Sequence, residues 1–307
     1  MVNREGMDSM FKILPMPKVW DLDQEASYTF TEINLDFNGC SPDLMDKIKD
    51  IALLKLGPLG LKIGEGQKVL GNTLALEFIS SLDMGRIEGR HQHLFEQQGY
   101  ILKSEHNKMQ LYFAHLRGAV YGLSTLKQIM MKQEGPWTMP HFYILDYPEV
   151  GQRALATTFA WYAGYGRVGF DMQLWDFEDW KAFLNQCSDF KINQLNMCMY
   201  GYWPFEFEQY PETTLKDFPL KIWNDESKNW IEIRYTHPNI VKEFLPELID
   251  YAHRLGIDIF AYIGLNSYNG GYSNIHRDKR MKLPAQSKYI NDFDTLCLSQ
   301  KDTIAYL

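Results

Sequence analysis

The chain has 307 residues, 45% hydrophobic and 14% aromatic, and its 31 Lys and Arg against 39 Asp and Glu give a net charge of −8. That length and apolar content suffice for a large core and suit about two domains of ordinary size. The negative balance offers no field for nucleic acid or anionic lipid, and no run of about 18 apolar residues or apolar leader is visible, so a cytoplasmic protein with no membrane partner is expected.

Four cysteines, Cys40, Cys187, Cys198 and Cys297, lack CxxC spacing and read as reduced thiols. An α+β domain is predicted over residues 11–147. It holds a helix over 43–54, with Ser41 as N-cap and Pro42 at its first position, followed by a glycine-rich turn over 57–66. Short strands are expected at 74–79, 99–104 and 109–114, the last two joined by a turn at 106–108. A second helix over 117–132 carries Gly118, Ala119 and Gly122, small enough for close packing on a sheet. Residues 135–140 read as the linker out, and 144–148 as the hinge into the second domain.

The second domain, 148–307, opens with an apolar β-branched and aromatic run at 152–161. Phe177, Trp180, Phe183, Leu184, Cys187 and Phe190 then recur at helical spacing behind Asp176 as N-cap, with Asp179 completing a loose capping box. The nearly all-apolar stretch 192–199 is the next strand, predicted to be buried on both faces. A helix over 237–255, stopped by Gly256, and a strand over 257–265 make a second βαβ unit of a parallel sheet. In such folds the loops after the strands' carboxyl ends hold the site, and here they begin at Trp161, Tyr200 and Asn266. Trp161, Tyr162, Tyr200, Tyr202, Trp203 and Tyr268 fall at or just past those ends, where flat rings either stack on a sugar's C–H face or pack in a barrel wall.

Other chemistries are poorly served. The glycines of GPLGLKIGEG follow a helix and open none, so no dinucleotide fingerprint exists and no cofactor is expected. His91 and His93 read as part of a solvated loop, no HExxH or GxSxG is present, and no metal is expected. Asp176, Glu178 and Asp179 form the acidic first turn of a helix.

The segment KINQLNMCMYGYWPFEFEQYPE (191–212) resembles the second barrel strand of glycoside hydrolase family 20, the β-N-acetylhexosaminidases. DYPEVGQRA (146–154) is similar to that family's entry to its first strand, and YTHPNIVKEFLPELIDYAHRLGIDI (235–259) and LCLSQKDTIAYL (296–307) to later segments. ILPMPKVW, QQGYIL and RGAVYGLSTLKQIM resemble the α/β domain that precedes the barrel. The resemblance implies an α/β fold class: a β-hexosaminidase domain 2-like α+β domain followed by a (β/α)8 TIM barrel, incomplete in this chain. It implies a carbohydrate substrate and a substrate-assisted retaining mechanism whose Asp–Glu pair is expected beyond residue 307.

Arg153 matches an arginine read as holding sugar hydroxyls in the −1 subsite, and Trp161, Asn196, Tyr202, Trp203, Asn266 and Tyr268 complete the expected substrate contacts. The family's HLH becomes Asn196, Met197 and Cys198, its following Asp becomes Gly201, and AYIGLNSY replaces its PEIDxPGH, so the pocket is altered. The alternative is a non-catalytic carbohydrate-binding protein or inactive fragment of the same fold. A bare sheet edge makes oligomerisation an expectation as well.

Overall fold

The computed structural model describes residues 13–65, 72–81, 87, 89–131, 136–160, 175–199, 202–263, 271–282 and 295–307. Two compact units emerge: Met1–Arg153 with Leu184–Asn193 and Arg254–Ile257, and Ala154–Phe183 with Gln194–His253 and Asp258–Leu307.

The first unit is built on a seven-stranded sheet in the order β1-β7-β5-β6-β4-β2-β3. Its strands are β1 (Val19–Phe30), β2 (Glu32–Asn38), β3 (Lys62–Glu65), β4 (Thr73–Ile79), β5 (Tyr100–Glu105), β6 (Lys108–Phe113) and β7 (Trp137–Asp146). Its helices are α1 (Pro42–Leu56), α2 (Gln92–Gln98) and α3 (Leu116–Met130). Ser41 Oγ accepts from the Leu44 amide and caps α1, and Ile48, Ile51, Ala52 and Leu56 recur on its buried stripe. The glycines of α3 are required by space. A Cβ at Gly118 would lie 2.3 Å from Gly99 O, and one at Gly122 would lie 2.3 Å from a Leu111 methyl. The helix therefore seats directly on β5 and β6, burying Leu123, Leu126, Ile129 and Met130 at about 1.5–3 kcal/mol each.

Residues 137–140 of the expected linker and 144–146 of the expected hinge belong to a strand instead, because β7 runs through Trp137–Asp146. Pro140 hides this strand in the sequence, since it has no N–H for a ladder. The chain accommodates it where the β1–β7 register shifts, with Pro140 opposite Ser27 and His141 opposite Asp23. His91 and His93 likewise belong to a short 3-10 turn and to α2 rather than to a solvated loop. Inside this unit Lys55 is fully buried, with Nζ 2.6 Å from Asp189 Oδ1 and 2.9 Å from Ser188 Oγ. Burial pushes its ammonium down to about 8 despite the carboxylate.

The second unit contains β8 (Ala154–Ala160), β9 (Gln194–Met199) and β12 (Asp258–Ile263), parallel and in the order β12-β9-β8. Its helical elements are α4 (Phe177–Asp189), which it shares with the first unit, and α5 (Phe244–Arg254), α6 (Tyr272–Ile275) and α7 (Lys301–Tyr306). Asp176 caps α4 as expected, its carboxylate accepting from the Glu178 and Asp179 amides, while Asp179 returns a bond from the Asp176 amide. Helix α5 starts at Phe244, later than the sequence suggests, so that Pro246 falls in the first turn, where no N–H is needed. It ends at Gly256, whose φ of 74° is the left-handed stop.

Two corrections concern β9 and the chain after it. Strand β9 is buried on one face only: Leu195 and Met197 are withdrawn from solvent, while Gln194, Asn196 and Cys198 are half-buried. Between β9 and α5 stands a hairpin, β10 (Phe218–Asn224) with β11 (Asn229–Tyr235), paired from Phe218↔Tyr235 to Asn224↔Asn229. Its turn is set by Asn224 Oδ1, which accepts from the Glu226 and Ser227 amides.

Candidate functional site

Arg153 directly precedes β8, at the start of the strand as the sequence suggests. All five of its side-chain N–H groups are spent on protein acceptors: Lys191 O, Val150 O, Gly151 O, Gln98 Oε1 and Tyr121 Oη. The guanidinium also lies over the Tyr121 ring, 5.3 Å from its centroid. These bonds make Arg153 a clamp between the strand start and residues 98, 121 and 191. Gln98 and Asn193 complete it, with Gln98 Oε1 accepting from Asn193 Nδ2 at 3.2 Å and Asn193 Oδ1 accepting from the Arg153 amide at 2.8 Å.

Beside this clamp lies a charged group that sequence reasoning did not single out. Lys191 Nζ is 2.7 Å from Asp146 Oδ2 and 3.0 Å from Tyr100 Oη, and Lys191 and Asp146 are both buried. Burial pushes the Lys191 ammonium down and the Tyr100 phenol well up. The phenol is held by Thr125 at 2.6 Å and by Asp146 at 3.3 Å. A cavity of about 320 Å³ opens here, bordered by Tyr100, Tyr121, Asp146, Arg153 and Lys191. A signal was present: Asp146 and Lys191 are the first residues of the DYPEVGQRA and KINQLNM segments.

In the second unit, Met199 pairs with Ile263 on one side and Ala160 on the other, so β8, β9 and β12 end together. The chain that continues from these ends includes Trp161, Asn266 and Tyr268, which lie outside the described residues. Asn196 sits one strand turn back, opposite Ala156 and Phe260, and accepts from Gln194 Nε2 at 2.8 Å. By the two-residue period of a strand it shares a face with Gln194, Cys198, Phe260 and Tyr262. Among the described residues of that face, Phe260 is 49% and Tyr262 64% exposed.

Tyr202 and Trp203 are not on that face. Only 8% and 6% exposed, they pack inward, Tyr202 against Leu215 and Phe218, with its ring centroid 4.5 Å from that of Phe218. Gly271 (φ 81°) lets Tyr202 in: a Cβ there would meet the ring at 2.8 Å, so this glycine makes room for an aromatic core. Trp203 is tied by its backbone to Thr213 and Leu215 and stacks on Phe205. Tyr306 stacks on Tyr272 at 4.0 Å with Tyr210 edge-on at 4.8 Å. Among the described residues both rings are thus held in buried packing contacts.

Among the described residues no group of three His, Cys, Asp or Glu is placed to hold a metal ion, and no helix is long and apolar enough to cross a membrane.

No family model and no curated protein matches the chain. Solved structures do. A β-N-acetylhexosaminidase from Bacteroides fragilis NCTC 9343 aligns with a TM-score of 0.66 and 16% identity over 96% of this chain and 52% of its own. The GH20 β-N-acetylhexosaminidase of Streptomyces coelicolor A3(2) gives 0.64 and 16% over 96% of this chain and 55% of its own. A GH20 exo β-N-acetylglucosaminidase from Vibrio harveyi, in complex with N-acetylglucosamine, gives 0.65 and 17% over 96% and 43%. The chain thus spans about half the length of the structures it matches, and across that half its mixed α/β fold is similar to that of the family 20 β-N-acetylhexosaminidases.

Proposed function

We propose that the chain is part of a glycan-processing protein of the glycoside hydrolase kind, with residues 11–147 as an α+β domain and 148–307 as the start of a (β/α)8 barrel. The observation that carries this reading is the parallel β8-β9-β12 sheet with the half-buried Asn196 beside the exposed Phe260 and Tyr262 on one face. An amide beside two aromatic rings is the chemistry of a pyranose contact: hydroxyls bond the amide while the C–H face lies on a ring. Trp161, Asn266 and Tyr268 follow the ends of β8 and β12 and are proposed to complete the contacts.

The substrate class is an N-acetylhexosaminide, and the mechanism is the retaining one in which the substrate's acetamide attacks the anomeric carbon. No residue of the chain is assigned as the acid. A second reading, sugar binding without turnover, is favoured by one observation: Asn196, Met197 and Cys198 stand where the family has HLH.

Saturation-transfer NMR with N-acetylglucosamine, run beside hydrolysis of an aryl N-acetyl-β-glucosaminide, tests both. Binding that falls about tenfold in Asn196→Leu, the worth of one lost polar contact, supports the sugar face. Binding with turnover selects the enzyme, and binding without turnover selects the lectin-like reading. Absence of N-acetylglucosamine binding by the wild-type chain rejects the sugar face.

A further inference from the structure

The cavity lies within the first unit and shares no residue with the proposed sugar face. Its inner wall is formed by Lys191, 4% exposed, Asp146, 7% exposed, and the half-buried Arg153. The charges on this wall do not cancel. Arg153 bonds only neutral oxygens, so Asp146 is the single carboxylate facing two cations. Arg117 adds a further positive influence on Arg153, and Arg153 in turn bears on Lys191. At the rim, Lys18 and the exposed Glu149 form a pair that cancels itself. An excess cation partly withdrawn from water is favoured when a counter-charge reaches it, and here an open cavity of about 320 Å³ leads to this wall.

The remaining hydrogen-bonding capacity points the same way. A lysine ammonium has three N–H groups, and Lys191 has two described protein acceptors, Asp146 Oδ2 and Tyr100 Oη. One donor is left over on a buried cation at a cavity wall. Met16 and Val150, 61% and 62% exposed, give the rim an apolar lining able to receive a small organic body. The volume lies at the low end of small-molecule sites, which excludes a polymer and suits a compact ligand.

We propose that this cavity binds the anionic group of a small molecule, a carboxylate or a phosphate, seated on Lys191 beside Arg153, with the ligand body against Met16 and Val150.

The test measures the thermal midpoint of the full chain as chloride is replaced, at constant ionic strength, by inorganic phosphate or by acetate. A saturable rise is expected, lost in Val150→Trp, which fills the rim and leaves every side chain of the charged wall unchanged. Lys191→Met weakens the anion about tenfold, the effect of removing one charge-assisted hydrogen bond, and Lys191→Arg retains it. Where Lys191→Met fails to fold, Lys191→Met combined with Asp146→Leu removes both charges, and the anion response must be absent there as well. A rise with phosphate alone assigns a phosphate-bearing ligand, and one with acetate a carboxylate. The proposal is overturned if neither anion exceeds chloride. It is equally overturned if Val150→Trp responds as the wild type does, which would mark an adventitious ion only.

Discussion

Lys191 and Asp146 meet at 2.7 Å with side chains only 5% and 9% exposed, and they join two stretches of chain 45 residues apart. Lys191 holds a positive φ of 61°, and its carbonyl accepts from Arg153 Nε, so one residue secures both the ion pair and the clamp. Removing one partner strands the other charge away from water. Asp146→Asn or Lys191→Met is expected to cost about 3–5 kcal/mol, read as a lower urea midpoint at unchanged m. Each half-buried guanidinium contact of Arg153 is to neutral oxygen, so Arg153→Lys, which keeps the charge but loses the fork, should be nearly as damaging as Arg153→Ala.

The helix glycines make a contrasting pair of expectations. Gly118→Ala and Gly122→Ala force a methyl into Gly99 O and Leu111, and overpacking of this kind costs about 1–3 kcal/mol. Gly57, with helical backbone and nothing within 4 Å of where a methyl would sit, should gain about 0.4–1 kcal/mol on replacement by Ala. Chemical denaturation of the three variants decides it. Equal effects at all three would show that α3 does not sit this closely on the sheet.

Cys187 supplies a pH dependence. Burial raises its thiol from 9.0 to about 11. A raised acid binds its proton more tightly when folded, so its stabilising contribution is complete below pH 9 and is lost as pH rises through about 11. The difference in melting temperature between wild type and Cys187→Ala should therefore shrink across that window. At pH 8 an aromatic disulfide reagent should label Cys187 at least about tenfold more slowly than the half-buried Cys198 and Cys297.

Tyr202 and Trp203 separate a packing role from a ligand role. Truncating either ring in its buried cluster should cost about 3–5 kcal/mol, and Gly271→Ala should mimic the Tyr202 loss because its methyl would strike the ring. Melting midpoints check the first claim. Near-wild-type stability for Tyr202→Ala, together with weakened sugar binding, would restore the ring to the substrate site.

The sequence by itself determined a good deal. Local chemistry identified the helices: Ser41 and Asp176 as caps, Gly256 as a stop, and the small residues of α3 all act as their side chains dictate, because capping and helical periodicity involve neighbours within a turn or two. The ordered segments around Asp146, Lys191 and Tyr235 were enough to indicate the α/β fold that the solved hexosaminidase structures share.

What only the tertiary structure decided depends on residues far apart in the chain. Pro140 disguised β7 because its cost depends on where the register of β1 shifts, which no local pattern states. That Gln98, Tyr121 and Lys191, from three other stretches, all accept from the Arg153 side chain is likewise set by the fold. Tyr202 and Gly271 met only through folding, since a ring's burial is set by which backbone leaves room for it. The cavity beside Lys191 belongs with these: a buried charge is harmless or costly according to partners that the fold, and not the neighbouring sequence, brings to it.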